Sequence, residues 1–146
     1  MSYVIRAYSD ADQESVLSVW ESGNRQAHPF LSNEFIQQVR EIIPTDYLPN
    51  ADTWVAEVDK QVVGFMSLLG HEVGALFVDP TYQGMGIGRA LLDKPATLHR
   101  TLELEVFCDN LKGKRFYDLY GFEVLCRKPH PETGFPVYRV RYTVAE

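Results

Sequence analysis

The sequence predicts an α+β sandwich built around one mixed, mostly antiparallel β-sheet. Three observations lead there. The apolar period shortens from helical to alternating after residue 50, tight turns then join short β-rich runs, and β-helix-β crossovers follow, which require a parallel strand pair. The order reads βααβββαβαββ, about seven strands and about four helices.

Residues 3–7 read as a short first strand. Asp10 with Gln13 fits a helix N-cap, Val16, Leu17, Val19 and Trp20 supply an apolar face, and Gly23-Asn24 is the expected end. Leu31-Ser32-Asn33-Glu34-Phe35 opens a second helix, in which Phe35, Ile36, Val39, Ile42 and Ile43 share one side and Pro44 is the stop. Residues 53–58 and 61–69 form strands around an Asp59-Lys60 hairpin. A turn is expected over 70–74 and a short strand over 75–78, closed by Asp79-Pro80. The helical run 87–98 contains Pro95, so a kink or early end is expected there. Strand 102–108, helix 112–120 with Gly121 past its end, and strands 122–127 and 137–144 complete the sheet.

The chain has 146 residues, suited to one buried core, and shows no repeat or linker-like run, so residues 1–146 are read as a single domain. Its formal charge of −6 is the wrong sign for tracking phosphates, which argues against a nucleic-acid partner. No apolar run is long enough to span a bilayer, and the first residues do not read as a secretory signal, so a cytoplasmic location is expected. Cys108 and Cys126 alone cannot make a metal cage, and no metal is expected.

The most informative stretch runs from Asp79 through Gln83, Gly84, Met85, Gly86, Ile87, Gly88 and Arg89 to Leu92. A strand ends, a glycine-rich loop follows and an amphipathic helix begins. Such a loop bares backbone N–H groups at the positive end of a helix dipole, a physical recipe for holding a pyrophosphate. Arg89 could add a charge-assisted contact. The plain alternative is a connector with no ligand. A dinucleotide fingerprint fails at Arg89 or Leu91, and a P-loop lacks its Gly-Lys-Ser/Thr.

Gln83-Gly84-Met85-Gly86-Ile87-Gly88 resembles the Gln/Arg-x-x-Gly-x-Gly/Ala signature of the GNAT superfamily of acetyl-CoA-dependent N-acyltransferases. Asn110, Phe116-Tyr117 and Tyr120-Gly121-Phe122 resemble that family's second block, with Gly113 standing where alanine is frequent. The resemblance spans about residues 3–144. It implies that the fourth and fifth strands splay and that acetyl-CoA, the cosubstrate, enters between them. Its pantetheine arm would pair with backbone at Phe77 and Val78, and its pyrophosphate would rest on N–H groups from Gly84 to Arg89.

The implied reaction is direct attack of an amine on the thioester. Val78 N–H is the expected oxyanion donor and Tyr117 the expected general acid, against the plain alternative of a packing tyrosine. Asn110 is expected to bond the pantetheine, to cap a helix, or both. Lys112, Lys114 and Arg115 either meet the nucleotide phosphates or form a solvated face. Candidate bases are His28, His71, Glu72 or a water, and an amine arriving neutral needs none. The acceptor pocket is expected from residues 20–32 with Tyr47 and Tyr138. A non-catalytic acyl-CoA-binding module is the alternative function, and either a monomer or a homodimer fits.

Overall fold

A computed structural model describes residues 2–144. One seven-stranded sheet runs in the order β1-β2-β3-β4-β5-β7-β6. The strands are β1 (Val4–Ala7), β2 (Asp52–Val58), β3 (Gln61–Leu69), β4 (Glu72–Val78), β5 (Thr101–Phe107), β6 (Glu123–Pro129) and β7 (Pro136–Thr143). Helices α1 (Gln13–Ala27) and α2 (Asn33–Ile42) cover one face, while α3 (Ile87–Ala96) and α4 (Leu111–Tyr120) cover the other. The mixed α+β sandwich expected from the sequence is the fold.

Each face has its own core. Val16, Leu17, Val19 and Trp20 of α1 meet Val55 and Phe65 on one side, and Leu91 and Leu92 of α3 meet Met66, Leu102 and Leu104 on the other. Strict alternation along β5 makes this possible: Leu102, Leu104 and Val106 are buried toward α3 and α4.

Four local readings change. Helix α1 continues past Gly23-Asn24 to Ala27. Gly23 is there for close approach, because a Cβ would lie 2.6 Å from Cδ1 of Phe77. The capping contact before α1 comes from Ser9, whose N–H donates to the Asp12 carboxylate (2.9 Å), rather than from Asp10 with Gln13. Pro44 does not stop the chain at the end of α2; a wider turn carries it on through Ile43–Tyr47. The turn expected over 70–74 contracts to Gly70 and His71, and β4 starts at Glu72.

Gly74 drew that longer turn because it is the bulge of β4: pairing to β3 slips one residue between Ser67↔Ala75 and Leu68↔Val73. Its missing side chain makes room for Tyr47, whose hydroxyl would collide with a Cβ there. Pro95 does end α3 early, at Ala96.

The decisive feature is the seam between β4 and β5. All other neighbouring strands pair along several residues, but these two parallel strands pair only at Glu72↔Glu103. Arg139 of β7 binds both carboxylates at that closed end. Beyond it the strands fork.

Candidate active site

A cleft of about 680 Å³ opens at the fork, walled by the ends of β4 and α1, the glycine loop and the start of α4. Its lining includes Leu76, Phe77, Val78, Gln83, Gly84, Gly86 to Arg89, Asn110, Lys112 and Tyr117. Two sequence blocks 20 or more residues apart thus share one cavity, as the resemblance implied.

The β4 wall has a defined polarity. Asp79 N–H donates to Val63 O (2.7 Å), and the register places Phe77 opposite Phe65 and Val78 opposite Gly64. Alternation in an antiparallel ladder then spends the Phe77 backbone on β3 and turns the backbone of Leu76 and Val78 toward the fork. The Val78 carbonyl bears this out by accepting from Gln83 Nε2 at 3.0 Å. Phe77 instead contributes its ring, packed against Gly23 and edge-on to His28. Leu76 is a lining residue that sequence reasoning missed, while Gly23 and Gln26 come from the 20–32 segment expected to shape a pocket. A strict two-residue alternation counted back from Val78 could have found Leu76.

The loop has the form of an anion cradle. Gly84 and Gly86 both take a φ of +84°, a left-handed conformation that side chains resist, and Gly86 is the N-cap of α3. Ala90 N–H is the first of that helix to find its partner, Gly86 O at 3.1 Å, so the amides of Ile87, Gly88 and Arg89 precede the helical ladder. Gly88 also lets the Phe116 ring approach, with Cζ 3.3 Å from where a Cβ would sit. Met85 packs against the core beside this loop rather than lining the cavity. The Arg89 guanidinium lies 5.5 Å from the Tyr120 ring centre.

Gln83 ties three walls together. Its amide nitrogen also reaches Gln26 of α1 (3.1 Å), and its oxygen accepts from Lys112 of α4 (2.6 Å). Lys112 is therefore the member of the basic cluster at the cleft. Lys114 pairs with Asp118 at 2.7 Å and sits over Tyr138, and Arg115 is exposed outside the lining.

Tyr117 projects from α4 into the lining and stacks edge-on against Phe116 and Phe122. Burial pushes its phenol well above the ordinary tyrosine range, so the proton is held at any physiological pH. Asn110 caps α4, accepting from Gly113 N–H at 3.0 Å, and also donates to His28 Nε2 at 3.3 Å.

The candidate bases fare differently. His28 is 8% exposed, its Nδ1 bonds Asn24 Oδ1 at 2.7 Å, and burial holds its imidazole down at about 4. With Nε2 accepting from Asn110, both ring nitrogens are engaged. Glu72 is bound at both oxygens by Arg139, and His71 is exposed, 3.9 Å from Glu103; neither lines the cleft. The pocket expected around residues 20–32 divides. Trp20 is core, while His28 and Phe30 pack with Phe107, and Phe30 reaches Phe135 beyond β6. Tyr138 lies on the opposite face, beneath Lys114 of α4, and so is not part of that group. Tyr47 is half-buried over Gly74, with a hydroxyl that has no hydrogen-bond partner among the described residues.

A forked mixed sheet with an amide-rich loop at its mouth is the arrangement that the sequence resemblance implied for an acyltransferase holding an extended, phosphate-bearing thioester. Comparison with known proteins agrees. The acetyltransferase (GNAT) domain model matches residues 49–124. Peptidyl-lysine N-acetyltransferase YjaB of Salmonella typhimurium is 35% identical over 133 residues, covering 90% of this chain and 91% of that protein. The solution structure of apo-form YjaB from Escherichia coli superposes with a TM-score of 0.86 at 30% identity, over 99% of this chain and 100% of that one. The PaiA N-acetyltransferase of Thermoplasma acidophilum, solved in complex with coenzyme A, shares the fold with a TM-score of 0.81 at 21% identity, over 98% of this chain and 99% of that one.

The chain belongs to the GNAT family. It is an N-acetyltransferase that uses acetyl-CoA as cosubstrate. Among the described residues no group of three or more His, Cys, Asp or Glu could hold a metal ion, and no helix is long and apolar enough to cross a membrane.

Proposed function

We propose that the chain acetylates the side-chain amine of lysine in peptides or proteins, with Tyr117 as general acid. One observation carries this reading: Tyr117 and the outward-turned backbone of Val78 line the same cleft, on opposite sides of the fork. The lysine acceptor is supported by the peptidyl-lysine acetyltransferases that match nearly the whole chain.

Acetyl-CoA supplies an activated acyl carbon and a thiolate leaving group. The amine nitrogen attacks that carbon, and Val78 N–H donates to the oxygen as it gains charge. When the carbon–sulfur bond breaks, the Tyr117 hydroxyl gives its proton to sulfur. Desolvation penalises phenolate and thiolate alike, so burial does not by itself turn the transfer uphill. Amides from Gly84 to Arg89 hold the pyrophosphate, with Arg89 and Lys112 as the nearby cations. The engaged nitrogens of His28 and the bound oxygens of Glu72 favour removal of the amine proton by water over either side chain.

The rest of the reading is a single domain over residues 1–146, acting in the cytoplasm as monomer or homodimer, without nucleic acid. The test is thiol release from acetyl-CoA with lysine peptides, free amino acids and polyamines as acceptors. Lysine peptides are expected to be the best acceptors. Tyr117→Phe is expected to lower kcat about a hundredfold while CoA affinity changes less than twofold. Parallel loss of affinity and rate removes the acid role; release with polyamines alone removes the lysine acceptor.

A further inference from the structure

His28 is neither exposed nor free to take a proton from a substrate, yet it joins two walls of the cleft. It follows the C-terminus of α1, between Ala27 and Pro29, which both line the cavity. Its Nδ1 faces Asn24 of α1, and its Nε2 faces Asn110 at the start of α4, 82 residues away in sequence. The rings of Phe30 and Phe107, with centres 5.7 and 4.8 Å off, fix its plane. We propose that His28 is a positioning residue that orients the Asn110 amide, and through it the α4 wall, for the thioester carrier; the proposal rests on the transferase reading above.

Hydrogen-bond capacity makes the arrangement specific. With a proton on Nδ1 for Asn24, Nε2 can only accept, so it selects the NH₂ side of the Asn110 amide. That leaves Oδ1 for Gly113 N–H, the cap of α4, at 3.0 Å. One amide N–H then remains for a carbonyl of the carrier. A flipped amide would lose both the cap and the histidine bond.

Gly113 is the independent witness. A Cβ at that position would fall 2.8 Å from Asn110 Cγ and 3.0 Å from Oδ1, and closer still to Nδ2. Alanine, which the sequence resemblance leads one to expect there, would displace the amide from His28. The obstacle is the end of one side chain rather than backbone, so the fold can absorb the change while the bond cannot. Glycine at 113, asparagine at 110 and histidine at 28 therefore form one device.

Two measurements test it. Nitrogen-15 NMR of the histidine side chains at pH 7.5 is expected to find His28 neutral, protonated on Nδ1, with an Nε2 resonance that moves in Gly113→Ala. An Nε2-protonated ring, or a resonance indifferent to Gly113→Ala, overturns the proposal. Calorimetry with CoA is expected to show about fivefold weaker binding for both Gly113→Ala and His28→Phe, the worth of one ordinary hydrogen bond. His28→Phe should add no further loss once Asn110→Ala is present; additive losses overturn the coupling. Neither measurement needs turnover, so failure of acetyl transfer and failure of the His28 role are separately visible.

Discussion

Gln83 illustrates how one side chain organises the cleft: a single amide bridges the end of β4, α1 and α4 through Val78, Gln26 and Lys112. His28 works at the same scale and has a thermodynamic signature. In the fold its imidazole titrates at about 4, whereas histidine in an unfolded chain titrates near 6.5. Between those values the unfolded chain binds the extra proton. Stability that His28 contributes above pH 6.5 is therefore lost as pH falls toward 4, by up to about 3 kcal/mol. Thermal melts from pH 7.5 to 4.5 should fall more steeply for the natural chain than for His28→Phe. Equal slopes would sink the claim. With the same sign, Asp12 is held below the usual carboxylate range by Arg6, which donates to both its oxygens at 2.8 Å. Its contribution is present above the ordinary aspartate value and fades as pH drops below it.

At the scale of elements, Gly23 and Gly74 carry the lesson. Both occur where local rules read punctuation, and both instead sit inside an element pressed by an aromatic side chain. Gly23→Ala should therefore destabilise, although alanine is the better helix former. The clash with Phe77 outweighs propensity and costs about 1–3 kcal/mol, measurable by urea unfolding. A stabilised variant would contradict this packing. Strand and helix order was legible because period and turn chemistry are local. The cleft was legible because the glycine loop and the Asn110–Tyr117 block each carry their own spacing. Long-range partners were not: nothing near residue 28 announces Asn110, and nothing near Tyr138 tells which face of β7 it occupies. Leu76 was missed because the sequence expectation took adjacent residues, Phe77 and Val78, where the pairing to β3 turns only every second backbone toward the fork.

For the whole molecule, the sheet behaves as two parts hinged at Glu72↔Glu103 and riveted there by Arg139. Both parts contribute to the core beneath α3 and α4, so the fork is open on a continuous base. A carrier spanning it should stabilise the fold through linkage, by about 2.7 kcal/mol at a hundredfold excess over Kd. That corresponds to a rise in Tm of roughly 5–10 °C, readable by scanning calorimetry with CoA. No shift with CoA, alongside a shift with ATP, would reassign the cleft.

The fork has one more effect. Unpaired strand borders usually lie at the rim of a sheet, where they invite other chains to aggregate. Here the backbone N–H groups of Leu76 and Val78, turned away from β3, lie in the interior of the sheet, recessed between neighbours and roofed by helices. Such a notch admits a slender thread and refuses a ribbon, so the same geometry that welcomes an unbranched pantetheine shields the protein from its own kind.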